Sequence, residues 1–559
     1  MNNFFLGTWF KLDTLNGFVA LAIGIFFVLT LFYSTKFMKG KPGVVSYYLY
    51  LILTALVSLG TVLANNLILL LVFWGFLGLL LYLLIGMGDS DSPAVAKKSL
   101  MIVGGTDALM ILGIGIIYYF TQSLQMDRIR LELNQGLLIF AYFCIASACF
   151  AKAGAMPFHS WIPGCAKSAP VPVTAFLPAS LDKLLGIYLL ARITLNLFVM
   201  NKVIAIILMF IGAITIIAAV MMALVQHNLK RLLGYHAVSQ VGYMILGIST
   251  GNPIGIAGGL FHMLNNAVYK SCLFFSAGNV EYRAKTTELD ELGGLAKLMP
   301  LTFISCLIAS LSISGIPPFN GFVSKWMIYQ GLIENFQLTS YSIKLMSIFC
   351  LIAAMFGSAL TLASFMKILH AVFLGQRLNT LKFKEIKEVP LAMIVPCLFL
   401  AAICVIFGVF AFILPLKYFI FPVVSTYGLM EATNLLGNWS PVLATFLIII
   451  GLITGLVIFK LGKLKLSLRS DSTFDGGEIE EQRAETMVTG IDFYNTVKEI
   501  PLLKRIYQKA EANLFDLYEQ AKNILRLSKV FQFLHNGVLP TYLVWILIGM
   551  VGLFLVLVR

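Results

Sequence analysis

Windows of about 20 apolar residues, the length that crosses a hydrocarbon core as an α-helix, recur almost from end to end of this chain, and about 14 of them fit between Gly17 and Val558. Such a chain has to fold in lipid. Only 12% of its 559 residues are charged and 59% are hydrophobic, for a mean hydropathy of +0.91, whereas a soluble domain carries roughly 25% charged residues. The expected fold class is therefore an all-α integral membrane protein. Most loops between the apolar runs are short, so residues 1–463 read as one polytopic domain. A single polar excursion follows at 464–537, and a last span at 538–559 anchors it. The first apolar run has no small-residue cleavage site and is followed by further spans, so it reads as a membrane helix and not as a removable signal.

Around the polar excursion, Leu503, Ile506, Tyr507, Ala510, Leu514, Leu517, Tyr518, Ala521, Ile524 and Leu525 fall at helical spacing, with Lys504, Lys509, Lys522 and Arg526 interleaved. This pattern predicts an amphipathic lateral helix within 491–534 that lies along the membrane interface and reaches a neighbouring subunit. Net charge is +14, and its distribution carries the information. Grouping alternate loops collects Lys36, Lys39, Lys41, Lys97, Lys98, Lys167, Lys230, Arg231, Arg283, Lys285, Lys297, Arg377, Lys382, Lys384 and Lys387 on one side. The positive-inside rule puts that side and the excursion in the cytoplasm of a bacterial or archaeal cell, with both termini outside. The lipid bilayer accounts for the charge, and nucleic acid is not an expected partner.

All eight cysteines lie in or beside apolar stretches, with no C-x-x-C pair and no ferredoxin spacing. They read as small buried hydrophobes. No glycine-rich nucleotide fingerprint follows a strand, and the six histidines form no metal-binding pattern. No cofactor and no metal are expected, and any redox chemistry belongs to a partner.

Several ionisable residues sit deep in spans, where a charge costs from ~2.5 kcal/mol upward and marks a functional candidate. They are Asp107, Lys152, Asp182, Lys183, His262, Lys270 and Lys325. Each could instead snorkel from a helix end or form a fixed ion pair between helices. Lys367 and His370 fit these plainer descriptions better, because Gln376 and Arg377 show their helix leaving the membrane. His262, Asn266 and Lys270 are spaced i, i+4, i+8 and stack on one helix face over about 12 Å. A hydrated conduit explains such a ladder better than a lipid-facing surface does.

Two spans carry helix breakers in mid-course: Met156 to Gly164, with Pro157 and Pro163, and Ser314 to Gly321, with Pro317 and Pro318. Proline removes a backbone donor and clashes with the preceding turn. Unwound backbone at membrane depth requires surrounding protein or a water cavity, and paired breaks in two halves point to a transport site. Lys152 precedes the first break and Lys325 follows the second. Burial disfavours the charged form of a lysine and a nearby carboxylate favours it, so a moving counter-charge can switch such a group.

At these residues the sequence resembles the antiporter-like subunits of respiratory complex I, of membrane-bound [NiFe] hydrogenases and of Mrp antiporters. The resemblance runs from about Lys11 to Ile328 and is carried by FKLDTLNG, LANNLILLLVFWGFLGLLLYLLIG, FAKAGAMPFHSWIPGCAKSAPVPVTAFL, HNLKRLLGYHAVSQVGYM and SGIPPFNGFVSKW in that order. It implies two five-helix inverted repeats, each with a broken helix, and a proton relay through Lys152, Lys183, His262, Lys270 and Lys325. It also implies other membrane subunits as partners, and a redox module carrying Fe–S clusters in a separate chain. The first core helix matches the family's third, so two N-terminal helices of longer members are expected to be missing.

One departure concerns the drive. The glutamate that follows tryptophan in the family motif, the usual counter-charge to the first broken-helix lysine, is Gly75 here. Asp182 or Asp107 is expected to substitute for it. Two other readings stand beside proton transport: a coupling subunit of a non-redox system such as inorganic-carbon uptake, and a scaffold whose channel has decayed.

Overall fold

The computed structural model describes residues 9–337, 340–375, 386–427, 440–462, 491, 494–525 and 537–557. The chain divides into two units, Met1–Glu499 and Ile500–Arg559. Among the described residues, ten helices are long and apolar enough to cross a membrane. Apart from a two-residue parallel pairing of Leu131–Glu132 with Phe198–Val199, regular structure among the described residues is helical.

The first unit runs through α1 (Thr14–Phe37), α2 (Val44–Leu63), α3 (Leu67–Ile85), α4 (Ser92–Thr121), α5 (Gly136–Ala153), α6 (Trp161–Ser168) and α7 (Val171–Leu197). It continues with α8 (Lys202–Leu224), α9 (Leu229–Ser249), α10 (Pro253–Ala284), α11 (Pro300–Ser314), α12 (Asn320–Glu334) and α13 (Tyr341–Leu374). After these come α14 (Leu391–Val409), α15 (Phe412–Thr426) and α16 (Pro441–Leu461). Many starts are written locally. The side chains of Asp13, Asn66, Asn201, Asn228 and Asn252 each accept a first-turn backbone N–H and so satisfy donors that a helix end leaves orphaned.

The unit is built inside out relative to a soluble protein. Helix α10 is buried without interruption from Gly255 to Val280, although it carries His262, Asn265, Asn266 and Lys270. It packs against α7, α9, α11, α12 and α14. Peripheral helices turn apolar stripes outward: on α2, Val45, Leu49, Ile52, Leu53 and Leu56 are exposed, the surface that lipid solvates. Many of the polar residues at the centre bond one another or backbone carbonyls, as His262 does with Gln240 and Lys270 with Leu233 O. Small residues let the inner helices approach: a Cβ on Gly247 of α9 would lie 2.6 Å from Gly259 Cα of α10. Arg192, near the end of α7, pairs with the α1 cap Asp13 at 2.7 Å and fixes α7 to the first helix.

The second unit holds α17 (Pro501–Glu511), α18 (Leu517–Leu525) and α19 (Leu539–Leu557). The single lateral helix expected within 491–534 is instead interrupted: Asn513 adopts a left-handed φ of 57°, and Asp516 Oδ1 accepts from Tyr518 N at 3.1 Å to start α18. Asparagine tolerates that conformation better than most residues, which ends the helix there. The basic loop positions Arg377, Lys382 and Lys384, residues 463–490, and Arg526 to Leu534 lie outside the described residues.

Candidate functional site

The two expected breaks share one backbone design. Helix α5 ends at Gly154, φ 83°, with Gly154 and Ala155 N–H both donating to Phe150 O at 2.7 and 2.8 Å. Helix α11 ends at Gly315, φ 81°, with Gly315 N–H to Ser312 O at 2.9 Å and Ile316 N–H to Leu311 O at 3.1 Å. Both are glycine-terminated caps in which the second residue past the helix reaches back five positions. Cis peptide bonds follow at Met156–Pro157 and Pro317–Pro318. The first break is shorter than the sequence suggested. Helix α6 resumes at Trp161, and Pro163 lies in its first turn, where a missing N–H has no helical partner to lose.

At the first break Lys152, penultimate in α5, is fully buried and its Nζ has no hydrogen-bond partner. Its ammonium lies 5.3 Å from the Trp74 ring, and the charges acting on it are those of Asp182 and Asp107. Lys183 is equally buried, and its Nζ comes within 3.4 Å of the position a Gly154 Cβ would take. Asp182 also acts on Lys183 and thus serves both lysines. Asp182 Oδ2, Asp107 Oδ1 and the two Nζ atoms are all buried without a hydrogen bond from the protein. Just before Asp182, the segment Leu177–Leu181 winds as a π-helix around Pro178, whose ring and missing N–H exclude the regular ladder.

Gly75 does not face this cluster. It is exposed on α3, and a Cβ there would meet nothing within 4 Å, whereas Trp74 and Gly78 are buried. A Cβ on Gly78 would stand 3.7 Å from Asp107 Oδ2. The inward face of α3 at this depth therefore meets a carboxylate supplied by α4.

At the second break Lys325 is nearly fully buried and donates to Ile313 O at 2.8 Å, with its Nζ 4.7 Å from the Tyr243 ring. Among the described residues no carboxylate bears on it. Asn265 of α10 holds the start of α12 by exchanging bonds with Asn320 at 2.9 Å each way, and Ser312 donates to the Asn320 side chain.

The ladder on α10 faces protein throughout. His262 Nδ1 meets Ser324 Oγ at 2.9 Å and Nε2 meets Gln240 Oε1 at 3.1 Å, Asn266 donates to Ala179 O at 3.3 Å, and Lys270 donates to Leu233 O at 2.9 Å. Lys183 and Lys270 act on each other through space. Lys367 does not snorkel: it is buried, and its Nζ donates to Leu224 O and Gln226 O at 3.0 Å, closing the end of α8. His370 is exposed. Trp74, Gln240 and Tyr243 contact the residues expected to form the relay, and sequence reasoning did not single them out. The signal lay in the spacing of Gln240 and Tyr243 on one face of α9. All eight cysteines are free and buried, and no set of three His, Cys, Asp or Glu able to hold a metal occurs among the described residues.

Comparison with known proteins agrees with this architecture. The chain is 30% identical to Na(+)/H(+) antiporter subunit A1 of Staphylococcus haemolyticus over 78% of its length and 56% of that protein. It is 30% identical to hydrogenase-4 component B of Escherichia coli over 72% of its length and 62% of that protein. The chain thus spans only a little over half the length of these relatives. Its fold matches a chain of the membrane-bound sulfane sulfur reductase, an archaeal respiratory membrane complex, with a TM-score of 0.79 at 23% identity, covering 98% of this chain and 89% of that one. The NADH:quinone oxidoreductase/Mrp antiporter TM family profile matches residues 64–352, more than half of the chain and both broken helices, so the chain belongs to that family.

Proposed function

We propose that this chain is a proton-translocating membrane subunit in which Lys152, Lys183, Lys270 and Lys325 form the relay and His262 stands beside it. The observation that carries this reading is the burial of four lysines in the interior of one helical unit, at two matching helix breaks and between them. A buried ammonium is too costly to keep for packing alone unless it is paired. Lys152 and Lys183 share Asp182, so a proton moving from one to the other redistributes charge around a fixed carboxylate. Asp107 supplies the counter-charge that the family's α3 glutamate supplies elsewhere. The exposed position of Gly75 weakens the case for a decayed scaffold.

The matching G-x-x-P-F turns at Gly154–Phe158 and Gly315–Phe319 support two five-helix inverted repeats. About 14 spans, with both termini outside, agree with the hydropathy and the loop charges. The relatives named for antiporter and hydrogenase assemblies support placement beside other membrane subunits and a separate Fe–S redox chain, in a bacterial or archaeal cell membrane. The test is proton uptake into vesicles bearing the intact assembly, comparing the native chain with K152A and K325A during partner turnover. Both variants should lose uptake. Unchanged uptake in both would overturn the reading.

A further inference from the structure

Helix α9 carries a polar line that the relay above does not use. Leu233, whose carbonyl takes the Lys270 ammonium, is followed at i+3 by His236, at i+7 by Gln240 and at i+10 by Tyr243, whose ring lies under Lys325. These positions share one face of a helix and span about 15 Å. His236 therefore stands on the face that links the two lysines, and both lysine charges act on it. It is fully buried. Its Nε2 meets Ser364 Oγ at 2.7 Å, while its Nδ1 is buried without a hydrogen bond. The Phe365 ring lies 4.8 Å from the His236 ring and 5.7 Å from Lys270 Nζ. From α13, Ser358, Thr361 and Ser364 follow one another at three-residue spacing, and Ser358 reaches the Tyr243 hydroxyl at 3.0 Å.

His262 is held differently. One ring nitrogen faces the Gln240 amide oxygen and the other the Ser324 hydroxyl, with Tyr269 OH 3.3 Å from Nε2. An amide oxygen accepts a hydrogen bond but does not relay a proton near neutral pH. Its contacts fix that ring, whereas those of His236 leave one nitrogen open and put a hydroxyl on the other.

Building on the transport reading, we propose that His236 carries the proton between Lys270 and Lys325, and that His262 positions α10 against α9 and α12. The ring takes up one proton at its open nitrogen and releases another through the nitrogen bonded to Ser364, so its net charge is restored when the tautomer resets.

The experiment compares proton uptake by the intact assembly carrying H236N, H262N, S364A, K152A or K325A, with assembly yield checked for each. Asparagine keeps a polar side chain of similar reach but cannot carry the proton. H236N should lower uptake about a hundredfold, the scale expected for removing a positioned proton-transfer group, and H262N should lower it less. The residual uptake of H236N should show a larger solvent deuterium effect than the native chain, a change that packing damage would not produce. If H236N does not assemble, S364A decides, with a clear loss supporting the assignment and native uptake overturning it. Uptake in H236N within about twofold of native, or a greater loss in H262N, overturns the assignment while K152A and K325A still report on transport. Native uptake in both lysine variants overturns the transport reading and this assignment with it.

Discussion

The two helix breaks have the same backbone and different electrostatics. Each ends its first half-helix at a left-handed glycine and turns through a cis proline. At the first, Lys152 stands on the preceding half-helix without a hydrogen bond, balanced through space by Asp182 and Asp107. At the second, Lys325 stands on the following half-helix and reaches back to Ile313 O, the carbonyl-rich end of α11, over an aromatic ring. A helix C-terminus carries a partial negative charge of roughly −0.5, enough to favour a cation without a full counter-ion. One backbone solution thus serves two ways of holding a buried lysine. The first depends on carboxylates from other helices, and the second on the break itself.

Given that contrast, removing the shared carboxylate does the most damage. D182N leaves two buried ammoniums short of a partner, so proton uptake should fall about a hundredfold and thermal stability by on the order of 3 kcal/mol. Native uptake and melting in D182N would mean that Lys152 and Lys183 are not held by charge. Next come the glycines. Both alanines meet an unfavourable φ, but G154A also meets Ile162 Cδ1 at 1.8 Å, whereas G315A adds only the flexible Lys325 Cδ at 3.1 Å. Denaturation should show a loss of about 3 kcal/mol for G154A and about 1 kcal/mol for G315A; equal losses would show that the breaks are mechanically alike.

A finer test asks where the first counter-charge comes from. D107N should lower uptake about tenfold, and adding G75E should not restore it, because residue 75 points away from Lys152. Recovery in the double variant would place residue 75 back in the site. The smallest effect is expected at the second break. Y243F keeps the ring under Lys325 and loses only the hydroxyl bonds to Ala354 O and Ser358, costing about 1 kcal/mol with uptake within twofold. A larger loss of uptake would show that the hydroxyl itself takes part.

Much of this was legible in the residues. Lipid embedding, the two breaks, the buried lysines and the family motifs all follow from short stretches of chain. The misreadings have a common form. Gly75 was read as a missing partner of Lys152, yet it lies on the outward face of α3. Lys367 was read as a snorkelling or ion-paired side chain near a helix end, yet it caps α8 from a helix more than a hundred residues away. Pro163 was read as part of a break, yet it sits in a helix start. His236 drew no notice, because a histidine in a hydrophobic helix carries no sign of which neighbours its face will meet.

The sequence by itself determined that this chain crosses lipid many times, where its helices begin, and where two of them break. Hydropathy, asparagine caps, glycine and proline act over a few residues, so they can be read without knowing the neighbours. Only the tertiary structure decided which charge meets which lysine. Lys152, Asp107 and Asp182 come from three helices, and their meeting depends on the rotation and packing of each helix against the others, which no local window of sequence encodes.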